Sequence, residues 1–187
     1  MNVIKAKKIR GGEYSLKPLY VNDVTEKYVS WLNDEKINSF LEVKYNTQSI
    51  PSVMSYVSSF YGEEVKYLWG IYENKYETHI GTISLYDINS HHKRAEIGMM
   101  IGDMTYWGKR ASEEAIRMVL NFSFQNLNLH RVTGGCYSTN LGMIFTFKRL
   151  GFEREAILKD HYQIEQNYID GYRWGLLSSE WKNREKN

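Results

Sequence analysis

The sequence predicts an α/β (α+β) fold: a single domain with a mixed, mostly antiparallel sheet and helices on its faces. Three observations carry this. The hydrophobic period changes along the chain, from helical to strand-like, then through two further helical stretches between strands. Strand-like runs are joined by short polar segments, as in hairpins. The 187 residues, 42% hydrophobic and 25% charged, fit one globular domain with room for a core.

Taken in order, "EYSLKPL" alternates like a strand, with Tyr14 and Leu16 on one face. "VNDVTEKYVSWLND" follows as a helix, because Val24, Tyr28 and Trp31 recur at helical spacing after a cap at Asn22 or Asp23. "SIPSVMSYVSSFYG" is a second helix, with Pro51 in its first turn and Gly62 past its end. "VKYLWGIYE" and "THIGTISLYDI" form a hairpin about "NKYE", and "RAEIGMMIG" is the next strand. A helix from about Lys109 to Leu127 carries Ala111, Ala115, Val119 and Phe122 along one stripe. "RVTGGCY" is a strand, "LGMIFTFKRL" a short helix closed at Gly151, and "EREAILKDHYQIEQNYIDGYRWGLL" a long final hairpin.

Composition narrows the function classes. A formal charge of +2 argues for neither nucleic acid nor an anionic membrane as partner. The lone Cys136 excludes an internal disulfide and suits a reducing compartment. "MNVIKAKKIRGGEYSL" lacks the apolar run of a leader, and no stretch approaches the roughly 20 apolar residues of a membrane span. The expectation is a cytoplasmic domain. Histidine and carboxylate spacings give no metal site.

The stretch "YWGKRASEEA" places a glycine and two cations ahead of a helix, where free N–H groups and the helix dipole favour an anion. A Walker loop fails, because from Gly102 the second glycine comes one residue late at Gly108, and Arg110 stands where Ser or Thr is needed. A dinucleotide G-x-G-x-x-G is absent. The remaining option is a coenzyme A pyrophosphate turn.

The runs "AEIGMMIGDMTYWGKRASEEA", "NLHRV" and "NLGMIFTFKRLGF" resemble the GNAT superfamily of N-acetyltransferases. Within it, the chain resembles the branch of ribosomal-protein N-terminal and amino-sugar acetyltransferases. The family turn reads [Q/R]-x-x-G-x-[G/A]; Trp107 takes its first position, Arg110 replaces the glycine and Ser112 the last small residue. The resemblance implies a sheet splayed near its centre, and N–H groups of Gly108, Lys109, Arg110, Ala111 and Ser112 around the pyrophosphate of acetyl-CoA. It also implies backbone contacts to the pantetheine arm from Met100 and Ile101, a hydrogen bond to that arm from Asn140, and adenine or phosphate contacts from Phe145, Lys148 and Arg149. Arg110 either adds a charge to the phosphate contacts or obstructs them; helical φ/ψ is expected for it.

Acetyl transfer to an amine needs a base, since alkylammonium groups titrate near 10.4. Glu96, on the strand entering the turn, is the candidate; the alternative is an ion pair with Arg94 or Arg131. The family often protonates the leaving thiolate with a tyrosine at the position held here by Phe147, which has no proton to give. Tyr137 is the substitute candidate, and Cys136 is read as a small buried residue. Trp31, Asn33, Glu42, Tyr45, His92 and His161 are candidates for the acceptor side. The expected function is acetyl transfer to a primary amine by direct attack, the acceptor a nucleotide-linked amino sugar or another small amine. A protein N-terminus, or a degenerate member that binds acyl-CoA without catalysis, remains open. The resemblance also allows a homodimer.

Overall fold

A computed structural model describes residues 6–62 and 65–184. Residues 1–5, part of the stretch read for a leader, lie outside them. Eight strands form one sheet: β1 (Ile9–Arg10), β2 (Tyr14–Pro18), β3 (Tyr67–Glu73), β4 (Thr78–Asn89), β5 (Arg94–Ile101), β6 (Arg131–Tyr137), β7 (Glu153–Ile164) and β8 (Asn167–Leu177). Their order is β1-β2-β3-β4-β5-β6-β8-β7, antiparallel throughout except for the parallel pair β5–β6.

Helices cover both faces, as the periodicity predicts. On one face, α4 (Ala111–Asn121) and α5 (Leu141–Leu150) bury Ala115, Ile116, Val119, Ile144 and Leu150 against Leu16, Ile83 and Leu85 of the sheet. On the other, α1 (Glu26–Asn33) and α3 (Ile50–Ser58) bury Tyr28, Trp31, Val53 and Val57 with Leu68 and Met100. Short α2 (Glu35–Asn38) and α6 (Ser178–Arg184) complete the set. Among the described residues, no helix is long and apolar enough to cross a membrane.

Two helix boundaries differ from the sequence reading. α1 begins at Glu26 behind Thr25, whose side chain accepts from the Tyr28 N–H; Asn22 and Asp23 form a separate 3-10 turn. α4 begins at Ala111, not Lys109, because Gly108 (φ 75°) and Arg110 (φ 59°) are both left-handed and no helix runs through them. Its last turn widens into a π turn over Phe122–Asn126.

The strand pairing opens a cleft. β5 and β6 pair only from Arg94↔Arg131 to Ile97↔Gly134. Beyond that point β5 stays with β4 as far as Ile101, while β6 stays with β8 as far as Tyr137. The last residues of the two strands therefore diverge: this is the splay implied by the resemblance.

Candidate active site

A groove of about 650 Å³ occupies this opening. Its floor is Met99, Met100 and Ile101 of β5, and the turn before α4 contributes Trp107, Gly108, Arg110, Ala111 and Ser112. Asn140, Met143, Phe145 and Arg149 line the α5 side. Ile37, Ser39, Phe40 and Leu41 line it as well. Of the residues expected at the cofactor, Met100, Ile101, Trp107, Gly108, Arg110, Ala111, Ser112, Asn140, Phe145 and Arg149 line this groove, and Lys109 and Lys148 do not; nor does Phe147 at the thiol-side position.

The turn is built to receive an anion. A Cβ built on Gly108 meets no protein atom within 4 Å, so its backbone faces open space, and its φ of 75° is what glycine supplies. The first N–H groups of α4 have no carbonyl one turn earlier to bond, and Arg110 at the N-cap offers them no side-chain acceptor. Trp107 folds back, its Nε1–H donating to Ile101 O at 2.9 Å. Asn140 caps α5 by accepting from the Met143 N–H at 3.1 Å.

Arg110 is not helical, contrary to expectation. Its left-handed backbone turns the side chain onto Glu113, with Nε and Nη2 at 3.2 and 2.8 Å from the two carboxylate oxygens. Arg149 reaches the same carboxylate at 3.6 Å from α5. The Arg110 hydrogen bonds hold the Glu113 carboxyl below its usual range, against an opposing effect of burial. One carboxylate thus gathers two guanidinium groups of the groove lining, Arg110 and Arg149, with Arg117 at 3.9 Å as a third.

Phe147 lies in the core rather than in the groove wall. It is 1% exposed and stacks on Trp174 at 5.7 Å, because the apolar stripe of α5 turns it inward. Lys109 stands outside the lining, its carbonyl accepting from Tyr14 Oη at 3.2 Å and its ammonium over the Tyr106 ring. Cys136 is buried, and burial pushes its thiol up, which makes it a poor nucleophile.

Glu96 pairs with neither Arg94 nor Arg131; those go to Asp87 and Glu155. Arg173 holds it instead, with Nη1 at 2.9 Å and Nη2 at 2.5 Å, and Tyr86 Oη donates to it at 3.0 Å. Arg173 comes from β8 and crosses β6 at Gly135, where a Cβ would stand 3.1 Å from Nη1. One sequence signal points to this crossing: Gly171, Arg173 and Gly175 share one face of β8, so small residues flank a long one.

The acceptor candidates scatter. Glu42 and Tyr45 come together with Tyr137: Tyr137 Oη donates to Glu42 Oε1 at 2.7 Å, and Tyr45 Oη donates to Gln163 O at 2.9 Å. Burial, then Glu42, push the Tyr137 phenol up. Tyr162 stacks on Tyr137 at 3.9 Å, and exposed His161 borders Tyr162. Trp31 is core, packed on Tyr28 and His79. Asn33 staples its own loop, exchanging hydrogen bonds with the Gln48 backbone. His92 sits in the β4–β5 turn, at the opposite end of β5 from the groove, where its N–H donates to Asn89 Oδ1. Phe40, Lys44, Tyr162 and Arg173 were not singled out from the sequence. Among the described residues, no group of three His, Cys, Asp or Glu side chains is placed to hold a metal ion.

A splayed sheet with an anion-ready turn at its opening is the architecture of the coenzyme A-dependent acetyltransferases. The chain belongs to the GNAT family: the Acetyltransferase (GNAT) domain model matches residues 15–153. It is 32% identical over 102 residues to p20, an uncharacterized N-acetyltransferase of Bacillus licheniformis, covering 54% of this chain and 57% of that protein. It is 29% identical over 114 residues to the spermidine N(1)-acetyltransferase of Vibrio cholerae, 61% of this chain and 65% of that protein. The aligned region thus spans less than two thirds of either relative. Among solved structures, the spermidine N-acetyltransferase of Vibrio cholerae in complex with CoA and spermine has a TM-score of 0.82 at 22% identity, over 91% of this chain and 99% of that chain. That likeness is one of fold.

Proposed function

We propose that the chain is an acetyl-CoA-dependent N-acetyltransferase, passing acetyl to the primary amine of a small acceptor by direct attack. The observation that carries this is the groove itself: it runs from the Gly108–Ser112 turn along Met99–Ile101, the part of β5 that no longer pairs with β6. Acetyl-CoA would supply an activated thioester carbonyl. The backbone of the turn takes its pyrophosphate, with Arg110 and Arg149 adding charge beside it. Met100, Ile101 and Asn140 would hold the pantetheine arm, which brings the thioester toward Phe40 and Leu41.

Glu96 already accepts three donated hydrogen bonds, two at Oε1 and one at Oε2, so only one of its roughly four lone-pair sites is left for a proton. In this reading the Glu96–Arg173 pair bridges the strands on either side of the splay. A thiol titrates near 8.5 and leaves as its thiolate without a strong acid. Tyr137 then serves chiefly to hold Glu42 at the reacting end. Spermidine acetyltransferases of Vibrio cholerae and Escherichia coli stand among the relatives beside a putative ribosomal N-acetyltransferase of Bacillus subtilis, and the former support the small-amine reading.

Thermal unfolding with and without acetyl-CoA tests the reading. Ligand at about 100 times its Kd stabilises the folded state by about 2.7 kcal/mol. A melting temperature unmoved by millimolar acetyl-CoA contradicts binding.

A further inference from the structure

Behind the groove wall the chain holds an ammonium of its own. Lys44 Nζ donates to Ser39 O at 3.1 Å and lies 5.1 Å from the Tyr45 ring centroid and 5.0 Å from that of Tyr137. Ser39 and Phe40 line the groove, and Phe40 meets Tyr137 edge-on at 6.1 Å. Tyr137 gives its hydroxyl to Glu42. An alkylammonium is therefore seated between two aromatic faces, one residue behind the wall at the reacting end, with a carboxylate on the hydroxyl of one of those rings. Ring faces attract cations, the more so when partly desolvated.

We propose that Tyr45, Tyr137 and Glu42 form the ammonium subsite for the acceptor, and that Lys44 occupies it until an unhindered primary alkylamine takes its place. The proposal rests on the acetyltransferase reading above. The exchange replaces one ammonium by another, so the charge of the subsite is conserved. Ser39 O and both rings serve the incoming amine as they serve Lys44.

Glu42 is the proton acceptor in this arrangement. Among the described residues Tyr137 donates to it at Oε1, whereas Glu96 receives three such hydrogen bonds. Glu42 is also exposed, so it exchanges its proton with solvent between turnovers. The acceptor's ammonium gives one proton to Glu42. The freed nitrogen lone pair forms a bond to the thioester carbonyl carbon, and the carbon–sulfur bond breaks with its electron pair on sulfur. The second nitrogen proton neutralises that thiolate through solvent, and the products are an N-acetyl amine and a free thiol.

The test is steady-state acetyl transfer from acetyl-CoA to n-butylamine and to glucosamine. Lys44→Met should lower KM for n-butylamine by about two- to fivefold, the worth of one exposed cation–π contact, and Lys44→Arg should restore the wild-type value. Glu42→Gln should cut kcat and shift the pH–rate profile, which Glu96→Gln should leave in place. An unchanged or raised KM in Lys44→Met overturns the proposal, as does Glu42→Gln with wild-type kcat and profile. Turnover of glucosamine but not n-butylamine overturns the assigned class. Absence of thiol release with every amine removes the transferase reading itself, which is a different outcome from release indifferent to Lys44.

Discussion

Arg173 on β8 reaches across β6 at Gly135 to hold Glu96 on β5, with Nη1 2.9 Å from Oε1. The pair lies over the last paired rungs of β5 and β6, just before the sheet opens, and it ties β5 to β8, two strands that are not neighbours in the sheet. Arg173→Met leaves Glu96 with Tyr86 alone. Because the Arg173 side chain is 40% exposed, the expected loss is modest, about 1–2 kcal/mol. Urea unfolding measures it, and a stability equal to the wild type would show that the pair holds nothing.

Arg110 gives a second prediction. A left-handed arginine costs about 1 kcal/mol relative to glycine, and here the Glu113 hydrogen bonds offset that strain. Arg110→Ala keeps the strain and loses the bonds, so it should unfold more easily than Arg110→Gly by about 1 kcal/mol. Both variants should bind acetyl-CoA more weakly than the wild type by calorimetry. Tighter binding by Arg110→Gly would show that the side chain obstructs the turn.

Phe147→Tyr should not accelerate the reaction. The ring tip already approaches Gly134, with Cζ 2.6 Å from where a Cβ on that glycine would stand. A hydroxyl added there enters the core beside Trp174 and costs about 1–3 kcal/mol. A faster variant of unchanged stability would place this ring at the thiol end after all.

His79 gives the pH dependence of stability. Its Nε2–H donates to Gly81 O at 2.9 Å among the rings of Tyr28, Trp31 and Tyr72. Burial pushes it down to about 4, with smaller opposing effects from the Gly81 hydrogen bond and Asp23, and a slight further lowering by Lys27. The folded state refuses a proton that the unfolded chain accepts below about 6.5. Stability is therefore full above that pH and falls as pH drops from about 6.5 to about 4, by up to about 3 kcal/mol. Melting curves across this window should show the loss, and His79→Gln should flatten it.

The parts of this fold legible in the sequence are those set by local period. The β3–β4 and β7–β8 hairpins, the α4 stripe and the Gly151 cap of α5 follow from alternation, spacing and a left-handed glycine. The turn at Gly108 was legible because its chemistry is consecutive in the chain. The Glu96–Arg173 pair was not, since it depends on β8 lying next to β6, a matter of sheet order. Glu42 and Tyr45 were named from the sequence, but their grouping with Lys44 was not: all three lie in one 3-10 turn, Glu42–Tyr45, whose position is set by contacts with Tyr137 and Gln163, about a hundred residues away. That Trp31 packs in the core was not legible, because an aromatic at helical spacing reads alike whether it faces a core or a cleft.

Free-thiol release from acetyl-CoA in the presence of a primary amine is the decisive measurement. Thiol should be released in step with the amine, together with the mass of its N-acetyl product. Release no faster than in the amine-free control, with both reactants at millimolar concentration, would contradict the transferase reading.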